Sequence, residues 1–84
     1  MASKVLDLEI IRPISSKRIS VLWLEVEGLT GSFVIGPDHA PLISLLKPQA
    51  RLIYKTCDNL EVEIDTFGGL VSVVGSRVIV LLDT

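Results

Sequence analysis

Hydrophobic and polar residues alternate with a period of two along much of the chain, a pattern typical of half-buried β-strands. The clearest case is 60–65, where Leu, Val and Ile alternate with three acidic residues, and 6–10 repeats the pattern. Residues 78–82 are apolar at every position, which predicts a strand covered on both faces. Further strands are predicted at 19–26, 32–35, 42–46, 50–55 and 70–74.

Turn-forming residues separate these runs at short and fairly regular intervals. Asp58-Asn59 and Gly75-Ser76 indicate tight hairpin turns, and no stretch carries the apolar stripe of an amphipathic helix. We therefore predict an all-β fold, a two-sheet antiparallel β-sandwich or flattened barrel of about eight to ten short strands. With 84 residues, the chain is predicted to form a single domain, 1–84.

One segment, 19–26, gives two conflicting alternations. Ile19, Val21 and Trp23 fall on odd positions, whereas leucine and valine occupy the even positions from 22 to 26. Either the strand is buried on both faces or one row of side chains points outward. If the even positions face the core, Trp23 projects outward as an exposed anchor of the kind that tryptophan often provides at interfaces. In the reverse register Trp23 belongs to the core, and both alternatives stay open.

Composition and charge narrow the possible functions. The net charge is −2 and no basic run is longer than Lys17-Arg18, so we predict no binding to nucleic acid. A single cysteine, Cys57, excludes an internal disulfide and fits a reducing compartment. The sequence holds no apolar segment long enough to span a bilayer, and 1–7 lacks the apolar stretch of a signal peptide. We therefore expect no direct membrane insertion.

Three short motifs suggest chemistry, but each has a stronger structural interpretation. Asp38-His39 could provide a general base, yet the nearest hydroxyl, that of Ser44, lies within a strand pattern. The segment 28–31 lacks the helix and lysine that follow a phosphate-binding loop, so it indicates a turn. The sequence has one cysteine, Cys57, and one histidine, His39, which are too few ligands for a zinc site. We predict no catalytic residue, no cofactor, no metal and no enzymatic activity.

Three stretches, taken in order, resemble one family. The most specific is GLTGSFVIGPDHAPL at 28–42, which is followed by the double glycine Gly68-Gly69 and the ending VIVLLDT at 78–84. Together they resemble the N-terminal β-sandwich of the epsilon subunit of the F-type ATP synthase, the counterpart of the mitochondrial delta subunit. The likeness covers about 6–84.

The resemblance implies a non-catalytic subunit of the central stalk, the rotor of the enzyme. Such a subunit couples the gamma shaft to the membrane c-ring during proton-driven ATP synthesis, although sodium stays open as the coupling ion. It is peripheral, at the cytoplasmic face of the energy-coupling membrane. The implied contact residues are Leu29, Thr30, Gly31 and Ser32 on the c-ring side, and Asp38, His39, Ala40 and Pro41 on the gamma side.

The sequence departs from the family pattern in several ways. Ser32 stands where the family often has an acidic residue able to pair with a basic ring loop, and Asp38 stands where glycine is usual. Family members commonly continue past the position of Thr84 into a helical hairpin that inhibits ATP hydrolysis and, in some members, binds ATP. Since the sequence lacks this hairpin, we expect neither a nucleotide site nor an inhibitory arm.

Two other functions compete with this interpretation. A generic β-sandwich adaptor would bind extended peptides at a sheet edge and would require a long unpaired edge strand. A small hydrolase using Asp38-His39 would require a pocket beside that dipeptide. The position of exposed apolar surface relative to the sheet edges distinguishes the adaptor from the rotor subunit.

Overall fold

The structure, a computed structural model, describes residues 4–84, and this part of the chain is all-β. The strands, in chain order, are β1 Leu6–Arg12, β2 Ser15–Gly28, β3 Gly31–Ile35, β4 His39–Leu46, β5 Arg51–Thr56, β6 Glu61–Asp65, β7 Gly69–Gly75 and β8 Arg77–Leu82. Each predicted strand has a counterpart, so the predicted fold class is confirmed. The predicted domain 1–84 begins with three residues that lie outside the described part.

Strand β2 is long enough to take part in two layers. Its first half pairs with β1 and its second half pairs with β3 and β5. Val21 pairs with Thr56 and Trp23 with Lys55, which leaves Leu22 as the extra residue of a β-bulge. The bulge moves the core-facing side chains from odd to even positions. Neither alternative predicted for 19–26 is therefore complete, because each alternation holds for one half of the strand.

The strands form two stacked layers. The first layer runs in the order β2 (first half), β1, β8, β7, β4, and the second runs β3, β2 (second half), β5, β6. A single pair, Gly28 with Leu46, joins β4 back to β2. The pairing is antiparallel, as predicted, except at one place, where β1 and β8 pair in parallel. Parallel neighbours require a long connection, and here most of the chain provides it.

The core fills the space between the layers with aliphatic side chains. Its fully buried members are Leu6, Leu8, Val21, Leu24, Val26, Ile35, Ala50, Leu52, Val71, Val73, Val78 and Val80, together with the aromatic Tyr54. Thr66 is a buried polar residue, and its hydroxyl donates to the Ala50 carbonyl oxygen at 2.8 Å. No buried side-chain polar atom in 4–84 lacks a hydrogen-bond partner. Hydrophobic burial and complete polar pairing therefore act together to fix the sandwich.

Gly69 lies where the backbones of β7 and β8 approach most closely. Its φ is +153°, and an added Cβ would overlap the carbonyl oxygen of Leu81. Backbone atoms cannot move aside as a flexible side chain can, so this position requires glycine. The double glycine of the sequence is thus explained by packing at its second residue.

We expect Gly69→Ala to lower the free energy of unfolding by about 2–3 kcal/mol, through strained backbone and the clash with Leu81. Urea denaturation followed by circular dichroism measures the change. Gly36→Ala is the matched control, because no atom lies within 4 Å of its added Cβ. Equal unfolding midpoints for the two variants would contradict this explanation of Gly69.

Candidate functional site

The two loops predicted to contact partners lie at opposite ends of β4. His39, at the start of β4, pairs with Gly75, whereas Leu46, at its end, pairs with Gly28 beside loop 29–32. The eight residues of β4 make seven steps, so the ends lie about 23 Å apart at roughly 3.3 Å per step. The two loops therefore cannot build one small-molecule site, but they can contact two different proteins.

Loop 29–32 is the tip of the β2–β3 hairpin. Gly28 pairs with Gly31, which leaves Leu29 and Thr30 at the turn, and Ser32 follows. All four predicted residues from 29 to 32 are exposed. The Leu29 amide donates to the Leu45 carbonyl oxygen at 3.2 Å, so the tip is fixed to the end of β4. The sequence prediction thus identified one contiguous exposed patch.

Loop 38–41, which consists of Asp38 and the first three residues of β4, is fixed by several hydrogen bonds. Asp38 has a φ of +58°, a left-handed conformation that suits glycine and is tolerated by aspartate. Its amide donates to Ser76 Oγ at 2.9 Å, and its carboxylate accepts from Lys4 Nζ at 2.5 Å. The hydrogen bond and charge of Lys4 hold the pKa of Asp38 below its usual value. The ring nitrogen Nδ1 of the half-buried His39 lies 2.7 Å from the Ala40 carbonyl oxygen.

This loop lacks the surroundings that a hydrolase needs. Neither the groove beside Leu45 and Leu81 nor the recess between Ile10 and Ile64 is lined by Asp38 or His39, and Ser44 Oγ donates to the Leu45 carbonyl oxygen. The described part of the chain holds no cluster of three or more potential metal ligands. The hydrolase interpretation therefore has no geometric support.

Within residues 4–84, no helix is present that could span a bilayer.

The outer face of the first layer carries a large apolar patch, which we refer to as the apolar face. Its side chains project from β1, β8, β7 and β4 and from two adjoining loops. They are Ile11, Ile79, Leu81, Leu70, Val74, Ile43, Leu45, Leu29 and Phe67. Ser72 lies among them, opposite Ile79 and Ile43, and Glu9 lies opposite Ile79. Exposure reaches 72% for Ile43, 56% for Leu45 and 42% for Leu81. The prediction that strand 78–82 is covered on both faces is therefore wrong for the described chain, because only its inner face is buried.

We did not predict the position of this face from the sequence, although the sequence contains the evidence for it. The segments 42–46, 70–74 and 78–82 carry apolar residues on both sides of their strands. Strand pairing then places the outward residues side by side, with Leu45 opposite Leu70 and Leu70 opposite Leu81. A large exposed apolar patch of this kind marks a protein contact.

A groove of about 610 Å³ connects the apolar face to loop 29–32. Leu29, Leu45, Phe67 and Leu81 line it, and Asp83 is the single charged residue in its lining. Its shape and apolar lining suit the side chains of another protein better than a polar metabolite. The groove therefore extends the apolar face to the end of the sandwich that carries loop 29–32.

The outer face of the second layer has the opposite character. Ion pairs there join Arg51 to Glu63 at 2.8 Å and Lys47 to Glu27 at 3.3 Å. Trp23 lies on this side of β2, paired with Lys55, and is half-buried. It is therefore neither a core residue nor a fully exposed anchor. The second layer therefore presents a largely charged surface to solvent, whereas the first layer exposes a large apolar patch.

The fold and these surfaces define a class, a small β-sandwich that presents one apolar docking face and two separate loops. A model of the family described as ATP synthase, Delta/Epsilon chain, beta-sandwich domain matches residues 6–84. The match covers nearly the whole chain, so the chain belongs to this family.

Solved structures show the same fold. The Euglena gracilis mitochondrial ATP synthase (OSCP/F1/c-ring, rotational state 1) contains a chain with a TM-score of 0.88 and 15% identity. The match covers 98% of this chain and 52% of that one. A chain of the central stalk/c-ring of the Tetrahymena thermophila mitochondrial ATP synthase has a TM-score of 0.77 and 14% identity, with coverages of 94% and 63%. The present chain thus spans roughly half to two thirds of these neighbours.

The ion pair between Lys4 and Asp38 predicts a pH response. A lowered pKa of Asp38 means that its contribution to stability is present above the usual value of 3.8 and is lost as pH falls through the lower folded-state value. Lys4→Gln is expected to raise the pKa of Asp38 toward 3.8, as measured by carbon-detected NMR titration. The pKa of Asp7, lowered by a hydrogen bond from Arg18, is the internal control. An unchanged Asp38 titration would contradict the assigned partner.

Proposed function

We propose that this chain is a non-catalytic subunit of the central stalk of an F-type ATP synthase, which couples the gamma shaft to the membrane c-ring. We take residues 1–84 as one domain. We place it peripherally, at the cytoplasmic face of the energy-coupling membrane. Membership of the family supports the proposal, and so does one observation above all. The apolar face includes β4, and the two loops at the ends of β4 lie about 23 Å apart on the same sandwich.

The apolar face, with loop 38–41 at its far end, is the proposed contact for the gamma shaft. A shaft contact must persist through rotation, and permanent interfaces are larger and more apolar than transient ones. Two ion pairs lie on the same outer surface, over β1, β8 and the first half of β2, with Arg18 to Asp7 at 2.5 Å and Arg77 to Glu9 at 3.8 Å. An apolar centre with a charged rim is the arrangement expected of a stable protein interface.

Loop 29–32 is the proposed contact for the c-ring. It projects from the end of the sandwich, it is short, and its exposed members include the hydroxyls of Thr30 and Ser32. Such a tip suits the polar loops of a ring protein better than a bilayer. The hydrogen bond from Leu29 to Leu45 ties this tip to the apolar face. A load on the tip is therefore transmitted directly to β4.

The peptide-binding adaptor is the second candidate. The two edges of the second layer argue against it, whereas β4, the eight-residue edge strand of the first layer, is joined to β2 by one pair only. The edge strand β6 has only five residues and exposes Glu61, Glu63 and Asp65, while β3 is equally short. Short edges and charged edge residues protect a sheet against added strands. The exposed apolar surface lies on a sheet face instead, which favours docking of a folded partner.

We expect the double variant Ile43→Ser/Leu45→Ser to bind a cognate gamma shaft at least about tenfold more weakly than the unchanged chain, because it removes apolar contacts from the centre of the interface. Analytical ultracentrifugation of the mixed proteins measures the affinity. Both residues are exposed, so the fold is expected to persist.

Val34→Ser is the matched control for this experiment. Val34 is 55% exposed, close to the 56% of Leu45, but it lies on β3 in the second layer. Its replacement is expected to leave shaft binding unchanged. Equal losses for both variants would place the shaft elsewhere, and absence of binding by the unchanged chain would overturn the proposed function itself.

A further inference from the structure

The β1–β2 hairpin forms a second projection at the end of the sandwich that carries loop 29–32. Its turn is Pro13-Ile14, and the Ile14 side chain is 98% exposed. Strand β1 runs parallel to β8, and the end of β8 pairs with Gly69, next to the end of β4. The hairpin therefore faces the same direction as loop 29–32. An apolar side chain held out on a proline-containing turn is suited to contact another protein.

A recess of about 230 Å³ lies just behind this turn. Its apolar lining consists of Ile10 and Ile64, which belong to different layers. Its polar lining comes from the hairpin and consists of Arg12, Ser15, Ser16 and Lys17. The register explains the cluster, because Arg12 pairs with Ser15 and Ile10 pairs with Lys17. The recess thus combines two cations and two hydroxyls with an apolar floor and has no acidic residue in its lining.

Arg12 and Lys17 differ from most other basic residues in 4–84 in their ion pairing. Five basic residues form ion pairs with carboxylates, namely Lys4, Arg18, Lys47, Arg51 and Arg77. Within 4–84, the three cations without such a partner are Arg12, Lys17 and Lys55, and two of them line this recess. Arg12 donates one bond from Nη1 to the Thr84 backbone oxygen at 2.7 Å, which leaves other guanidinium donors available. In a chain of net charge −2, two neighbouring cations without a carboxylate side chain as partner are suited to bind an anionic group.

We infer that this recess binds a carboxylate side chain of a partner protein, with Ile14 packing against the same partner. The apolar floor suits the methylene stem of an aspartate or glutamate, and Arg12 and Lys17 suit its charge. Phosphate sites are usually built from clustered backbone amides, whereas this turn contains Pro13, which has no amide hydrogen. The exposed Ile14 also indicates a macromolecule instead of a free ion.

This inference rests on the proposed function for the identity of the partner. If the end with loop 29–32 faces the ring, the partner is an acidic loop of the ring or of the adjoining shaft. The uncharged Ser32 cannot supply a charge to that contact, whereas Arg12 and Lys17 can. In that contact, this chain supplies the positive charge and the partner supplies the negative charge.

The test compares binding of the full chain to a cognate assembly of shaft and ring. The variant Arg12→Gln/Lys17→Gln is expected to bind on the order of tenfold more weakly, with a smaller dependence on salt. Ile14→Ser is expected to weaken binding without unfolding, since the side chain is exposed. Lys55→Gln, which removes the third unpaired cation, is expected to bind as the unchanged chain does. Unchanged affinity for the Arg12/Lys17 variant would overturn the inference.

A second measurement is independent of the proposed function. The isolated chain is titrated by NMR with the capped peptide Ac-Gly-Glu-Leu-Gly-NH2, with its Gln counterpart, and with inorganic phosphate. Shifts of the Arg12 and Lys17 side chains are expected with the Glu peptide only, and they are expected to vanish in the double variant. A response to phosphate alone, or equal responses to both peptides, would overturn the inference. If the unchanged chain binds the Glu peptide but no assembly, only the identity of the partner fails.

Discussion

The structure depends on one strand, β2, that belongs to both layers of the sandwich. Val21 and Leu24 both face the core, which a regular strand cannot achieve because their positions differ by an odd number. The bulge at Leu22 solves this conflict while pairing with β5 continues on either side of it. Sliding one layer over the other would require β2 to bend or break. The two layers therefore behave as one stiff body, which suits a component that transmits torque.

The two outer faces of this body are chemically unequal. On the second layer, charged side chains such as Arg51 and Glu63 neutralise one another and remain hydrated. On the first layer, ion pairs lie over β1 and β8, but Ile43 and Leu45 on β4 remain exposed. A domain of 84 residues has a thin margin of stability, so apolar surface left in water carries a risk of aggregation. Covering that face with a partner removes the risk and adds to stability by mass action, so assembly and folding support each other.

Local alternation was sufficient to place the strands, because inward and outward positions differ clearly in segments such as 60–65. It could not show that β1 and β8 pair in parallel, since that pairing joins the two ends of the chain. It also could not show which side of 78–82 is covered, because residues buried by a partner and residues buried by the chain have the same composition. Segments 29–32 and 38–41 were assigned as partner contacts by resemblance, and that assignment stays a prediction. The recess at Arg12 was missed because it forms only when β6 approaches the β1–β2 hairpin.

The end of the sandwich that carries loop 29–32 is also where backbones pack most tightly. An added Cβ on Gly28 would lie 3.2 Å from the Gly31 carbonyl oxygen, and one on Gly69 would overlap Leu81. Nearby, Thr66 binds the Ala50 carbonyl oxygen through both its amide and its hydroxyl. Close backbone contacts allow little movement, because packed interiors resist compression. Loop 29–32 is therefore anchored beside close backbone contacts, which suits the proposed role of this end as a contact that must hold its shape.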